Sequence, residues 1–141
     1  MRNKNKILMI DDDVNLVNVI KLVLESKEYI FDCAYSAAEG MTKIKEFCPD
    51  LIILDAIMED FVAGFRVVSQ LRTCDENSEY FQYSDIPILM LSSVTTKTNL
   101  DFEHKVGTAL LPVDAFIEKP VKPAELLNKI EDLIKGMKTI H

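Results

Sequence analysis

Asp55 follows an apolar run, Leu51-Ile52-Ile53-Leu54, and Asp11-Asp12-Asp13 follow another, Ile7-Leu8-Met9-Ile10. Carboxylates at the ends of two strand-like runs point to one kind of chemistry. If the two strands are parallel neighbours, the acids meet at the carboxyl edge of the sheet, where open α/β folds bind ligands. Crowded carboxylates repel, and each tends to keep its proton unless a cation sits among them. A hard, oxygen-seeking ion such as Mg²⁺ suits such a set. A carboxylate beside that ion can accept a phosphoryl group. The pattern therefore points to phosphorylation of Asp55.

The elements that would position these acids are legible in the periodicity. Ile7–Ile10 reads as a buried strand. Val14, Val17, Leu22 and Val23 recur near helical spacing behind an acidic start at Asp13, which predicts a helix over roughly residues 14 to 27. Tyr29 to Ala34 is β-branched and aromatic, a second strand. Ser36 with Glu39 three residues on forms a capping box for a helix that ends before Pro49. Leu51–Leu54 is the third strand. A third helix runs from Phe65 to Thr73, with Val67, Val68 and Leu71 on its apolar face. Residues 75 to 86 form a long polar and aromatic loop, and Ile86 to Leu91 the fourth strand. Between Ser92 and Pro112 the helical signal is weak and is interrupted by Gly107 and Pro112. Ala115 to Ile117 is a short fifth strand, and Ala124 to Lys135 a final amphipathic helix with Pro123 in its first turn.

Repeated strand–helix alternation predicts an α/β doubly wound sheet of five parallel strands. The order 2-1-3-4-5, flavodoxin-like, sets the first and third strands side by side and so brings the acids together.

Composition sets the bounds. At 141 residues the chain suits one domain with a real core. Sixteen basic against 23 acidic residues give a net charge of −7, which argues against a nucleic-acid or anionic-membrane surface. No apolar run approaches the roughly 20 residues that span a bilayer. Cys33, Cys48 and Cys74 are scattered without metal spacing and suit a reducing cytosol. Cys33 and Cys48 are expected as small core fillers. His104 and His141 are unpaired in sequence and read as solvated surface.

Four separated motifs resemble those of the receiver domain of two-component response regulators. They are Ile10-Asp11-Asp12-Asp13, Leu54-Asp55, Leu91-Ser92 and Lys119-Pro120, each at the carboxyl end of a different expected strand. The resemblance covers nearly the whole chain. It implies that Asp12 binds Mg²⁺ directly and Asp11 through water. Asp55 would be both ligand and phosphoacceptor, and the backbone carbonyl of Ile57 would complete the protein's share of the metal shell. Lys119 would stand against the Asp55 carboxylate and later against a phosphoryl oxygen, with its bond to Pro120 cis. Ser92 would be the switch hydroxyl, and Phe116 the switch aromatic, coupled through packing alone because it lacks a phenol hydroxyl. Each residue also has a plainer role open to it. Asp11 or Asp12 could cap the following helix, with Asp13 the best cap of the three. Lys119-Pro120 could be an ordinary turn, and Phe116 ordinary core.

The chain departs from the family pattern in places. Glu59 stands where a proline is usual, and Gly64 comes about one residue late. Ile57 and Val94 occupy the two positions that tune loss of the phosphoryl group, and neither can activate water, so slow loss is expected. The segment between Ser92 and Lys119 is longer than usual.

The resemblance implies a cytoplasmic signalling protein, not an enzyme, with residues 1–141 forming a single receiver domain without an output domain. Its partners would be a histidine kinase or phosphotransfer protein and a downstream protein target, with no nucleic acid and no membrane, as a monomer or weak homodimer. One alternative is a Mg²⁺-dependent aspartyl phosphohydrolase, but Ile57 stands where such enzymes carry a second Asp. A flavin or nucleotide binder of similar architecture would want a phosphate loop after the first strand, where three acids would repel phosphate, and a further alternative is a binding scaffold that works without phosphorylation. The aromatic loop with Tyr80, Phe81 and Tyr83 suits either a partner patch or packing against the third helix.

Overall fold

A computed structural model describes residues 4–56, 58, 63–93 and 113–139. Five strands form one sheet: β1 (Lys6–Ile10), β2 (Ile30–Ala34), β3 (Leu51–Asp55), β4 (Ile88–Ser93) and β5 (Ala115–Lys119). Neighbouring strands are parallel, in the order β2-β1-β3-β4-β5. The helices are α1 (Val14–Ser26), α2 (Ala37–Phe47), α3 (Ala63–Leu71) and α4 (Pro123–Thr139). This is the doubly wound, flavodoxin-like arrangement expected from the alternation. None of these helices is long and apolar enough to cross a membrane.

The apolar runs become central strands because both of their faces are covered, the usual condition of a parallel sheet. Ile7–Ile10, Leu51–Leu54 and Ile88–Leu91 are 0% exposed, so side chains on alternate residues must serve two cores. Leu8, Ile10, Ile52, Leu54, Ile88 and Met90 pack with residues of α2 and α3, among them Met41, Ile44, Val67 and Leu71. Ile7, Met9, Leu51, Ile53, Leu89 and Leu91 pack with residues of α1 and α4, among them Ile20, Leu24, Leu126 and Ile130.

Local chemistry sets the helix ends. Asp13 Oδ1 accepts from the Leu16 N–H at 3.1 Å and caps α1. Ser36 Oγ accepts from the Glu39 N–H at 3.1 Å, while Glu39 Oε1 reaches back to the Tyr35 N–H at 2.6 Å. The capping box is therefore present, displaced by one residue on its return arm. At the other end of α2, Cys48 takes the left-handed conformation (φ 52°) just before Pro49. Cys48 is thus exposed rather than a core filler: as the cap it leaves the buried face of α2 instead of continuing it. Cys33 is half-buried, against the α1–α4 core.

β4 starts two residues later than its apolar content suggests, and the loop before it supplies the reason. Residues 81–83 form a 3₁₀ turn, and the Ile86 N–H donates to Tyr83 O, so Ile86 closes that turn instead of opening the strand. Tyr80, Tyr83 and Ile86 pack against the α2–α3 core, which answers the aromatic loop's role as packing; Phe81 remains exposed. Lys45 from α2 holds the loop through an ion pair with Glu79 and a cation–π contact over Tyr80 at 5.2 Å. Arg72, just past α3, ties down the far end. It donates to Ser84 O at 2.6 Å, Ile86 O at 2.8 Å and Asp114 Oδ2 at 2.8 Å. Asp114 Oδ2 also accepts from the Ile88 N–H at 2.9 Å. One guanidinium thereby joins the end of α3 to the starts of β4 and β5. Burial lowers its pKa, and the charges of Asp114 and Asp85 push back.

Replacing Arg72 with Met strips a donor from two carbonyls and from Asp114. Arg72→Met should cost roughly 2–3 kcal/mol, read as a lower urea midpoint with an unchanged slope. An unaltered midpoint would show that the loop is held by its aromatic packing alone.

Candidate functional site

The carboxyl ends of β1, β3, β4 and β5 lie along one edge of the sheet, and each carries a candidate residue. The strand pairing extends one residue past β1, because the Asp11 N–H donates to Ala34 O at 3.0 Å. The chain then turns, and Asp11 Oδ1 accepts from the Asp13 N–H at 2.9 Å. The three consecutive acids divide their work accordingly. Asp13 caps α1, Asp12 is exposed, and Asp11 is completely buried.

Asp55 ends β3 opposite Leu91 of β4 and is 5% exposed. Lys119 ends β5 and is joined to Pro120 by a cis peptide, as expected. Its Nζ lies 3.3 Å from Asp11 Oδ2 and 3.4 Å from Asp55 Oδ2. The contact with Asp11 is an ion pair without hydrogen-bond alignment, since Asp11 Oδ2 is buried and accepts no directed bond among the described residues. Burial alone would lower the Lys119 pKa. The charges of Asp11 and Asp55 outweigh that effect and hold it above the usual lysine value, so it is a firm cation at neutral pH.

Asp11, Asp12 and Asp55 each offer a carboxylate oxygen within 4.8 Å of the others'. Three carboxylates against the Lys119 ammonium leave a formal charge of −2 in a partly buried site. An all-oxygen donor set with that excess fits a hard divalent cation. Asp11 Oδ2 is buried with the shared Lys119 ammonium as its ion-pair partner and no directed hydrogen bond among the described residues, which leaves room for a further cation.

Ser92, one residue beyond the Asp55 partner Leu91, is 1% exposed, and its hydroxyl finds no hydrogen-bond partner among the described residues. A buried, unpaired hydroxyl is costly to stability. Phe116 pairs with Met90 in register and lies half-buried against the α2–α3 core. The structure thus brings together Asp11, Asp12, Asp55 and Lys119, and sets Phe116 three residues before Lys119 on β5. Ile57, Glu59, Val94, His104, His141 and the segment 94–112 lie outside the described residues. Sequence reasoning missed the Asp13 N–H that fixes the rotamer of Asp11. Backbone donors leave no residue-type signal.

Crowded acids store repulsion when no metal is present. In EDTA, Asp12→Asn should raise the thermal midpoint by roughly 2–4 °C, because it removes one exposed member of the cluster. A lowered midpoint would mean that Asp12 holds structure together rather than repelling its neighbours.

Residues 7–131 match the family model of the response regulator receiver domain. The transcriptional regulatory protein YvrH of Bacillus subtilis is 33% identical over 131 residues, covering 92% of this chain and 48% of YvrH. ResD of the same organism is 29% identical over 133 residues, covering 94% of this chain and 49% of its own. The chain therefore spans about half the length of these curated relatives. Among solved structures, a CheY-like response regulator receiver domain protein from Methanospirillum hungatei superposes with a TM-score of 0.79 at 24% identity, covering 99% of this chain and 100% of the other. The chemotaxis response regulator CheY4 of Vibrio cholerae gives a TM-score of 0.75 at 26% identity, covering 93% and 99%. A family match over most of the chain, on the same sheet order and with acids and lysine at the strand ends, means that this chain belongs to the response regulator receiver domains.

Proposed function

We propose that Asp55 accepts a phosphoryl group from a histidine kinase or phosphotransfer protein, and that its phosphorylation resets a protein-contact surface. The observation that carries this reading is the placement of the Asp55 carboxylate. It is nearly buried, 3.4 Å from Lys119 Nζ, within the cluster formed with Asp11 and Asp12.

In the transfer, an Asp55 carboxylate oxygen forms a bond to phosphorus while the phosphorus–nitrogen bond of the donor phosphohistidine breaks. The bonding pair returns to the imidazole nitrogen. Mg²⁺, held by Asp11, Asp12, Asp55 and the Ile57 carbonyl, would neutralise charge gathering on the transferred oxygens. Lys119 supplies a fixed cation to the same oxygens, already in place before reaction. The product carries a charge of about −1.5 to −2 and three acceptor oxygens. Ser92 supplies the donor it lacks a partner for, by turning its hydroxyl to one of them. Phe116 then repacks into the space that Ser92 leaves. Ile57 and Val94 offer no group to activate water, so the acyl phosphate persists and the protein acts as a signal carrier rather than a hydrolase.

Residues 1–141 act in this reading as one receiver unit, cytoplasmic and monomeric or weakly dimeric, passing its signal through protein contacts. Relatives that share this unit carry the names of transcriptional and DNA-binding regulators. With a net charge of −7, the unit itself is poorly suited to touch nucleic acid.

Intact mass after incubation with acetyl phosphate and Mg²⁺ tests the proposal. Wild type should gain a single phosphoryl group, dependent on Mg²⁺, and Asp55→Asn should gain none. The wild-type adduct should persist for many minutes after acetyl phosphate is removed. A folded wild type that takes no adduct, or an Asp55→Asn variant that takes the same one, contradicts the assignment. Loss within seconds contradicts the role given to Ile57 and Val94.

A further inference from the structure

Gly64 sits in the first turn of α3, buried with Ala63 before it. A Cβ at this position would lie 2.6 Å from the carbonyl oxygens of both Asp55 and Ala56, and 2.9 Å from the Ala56 carbonyl carbon. An ordinary carbon–oxygen approach is about 3.3 Å. The obstructing atoms are all backbone, so no side-chain rotation makes room. Gly136, in α4, is the opposite case: a Cβ there meets nothing within 4 Å.

Gly64 is therefore required for closeness. It lets α3 rest directly on the main chain of the acceptor residue. Ala56, whose carbonyl lies under it, is itself tied to β4 by its N–H, which donates to Leu91 O at 2.9 Å.

We infer that Gly64 is a positioning residue for phosphorylation: by seating α3 on the Asp55-Ala56 main chain, it holds the Asp55 carboxylate in register with Lys119 and the acidic pair. Any larger residue pushes helix and strand end apart by about half an ångström or more. Displacements of that order at a reacting group are expensive in rate. The inference rests on Asp55 being the acceptor, and it fails separately from that reading.

The test compares Gly64→Ala with Gly136→Ala, the same chemical change in open space. Both are first shown to be folded by circular dichroism. The phosphorylation rate is then measured at saturating acetyl phosphate and Mg²⁺, alongside Mg²⁺ affinity. Gly136→Ala should match wild type. Gly64→Ala should react on the order of tenfold to a hundredfold more slowly and bind Mg²⁺ more weakly. A folded Gly64→Ala that matches wild type in both overturns the inference. If Gly64→Ala does not fold, the amide resonances of wild type decide the matter, since the chain has only 4 glycines to assign. On addition of Mg²⁺ and beryllofluoride the Gly64 amide should shift and that of Gly136 should not; an unmoved Gly64 amide overturns the inference. A wild type that takes no phosphoryl group contradicts the assignment of Asp55 instead.

Discussion

Three carboxylates crowd the carboxyl edge of the sheet beside one ammonium that pairs with only two of them, and the arrangement around them follows from that imbalance. Lys119 bridges Asp11 and Asp55 at 3.3 and 3.4 Å, yet leaves the Asp11 Oδ2 oxygen without a directed bond. Holding such an excess of like charge in a partly buried site is unfavourable unless something compensates. In a structure built only for stability, these positions would be cheaper as asparagine or as apolar residues. Three such acids gathered within reach of one another fit a hard divalent cation better than they serve stability alone.

The rest of the fold supplies the rigidity that keeps these charges close. β1, β3 and β4 are sealed on both faces, so their ends have little room to splay. Asp55 is held in the ladder to β4, and Asp11 is oriented by the N–H of Asp13, the same residue that caps α1. Placing the acids at strand ends rather than within loops turns core packing into electrostatic pre-organisation. At the opposite edge of the sheet, Arg72 does comparable work without chemistry, tying β4 and β5 to the long aromatic loop.

Much of this was legible in the residues, and for identifiable reasons. Unbroken apolar runs such as Ile7–Ile10 and Leu51–Leu54 signal strands covered on both sides, and an acid at the end of each marks the edge where the carboxylates gather. The Ser36–Glu39 spacing marked the start of α2 because capping is local. Where the reading failed, distant contacts decided. Ile86 looks like strand but closes a turn whose carbonyl is held by Arg72, 14 residues earlier. β5 runs on to Lys119 because Ser92 and Ser93 of β4 continue to pair with Glu118 and Lys119. Cys48 resembles a core filler by type, but the left-handed cap of α2 turns it outward. The close seat of α3 on Asp55 leaves only a glycine as its trace, and a glycine alone does not say what approaches it.

The most direct measurement is the thermal midpoint of the wild-type protein titrated with MgCl₂ at constant ionic strength. A cation that binds only the folded state adds stability as RT ln(1 + [L]/Kd). If the carboxylate cluster is a divalent-cation site, the midpoint climbs steadily with the logarithm of Mg²⁺ concentration once binding begins, and NaCl does not reproduce the climb. A midpoint that follows ionic strength alone, equal in the two salts, would contradict a metal site at Asp11, Asp12 and Asp55.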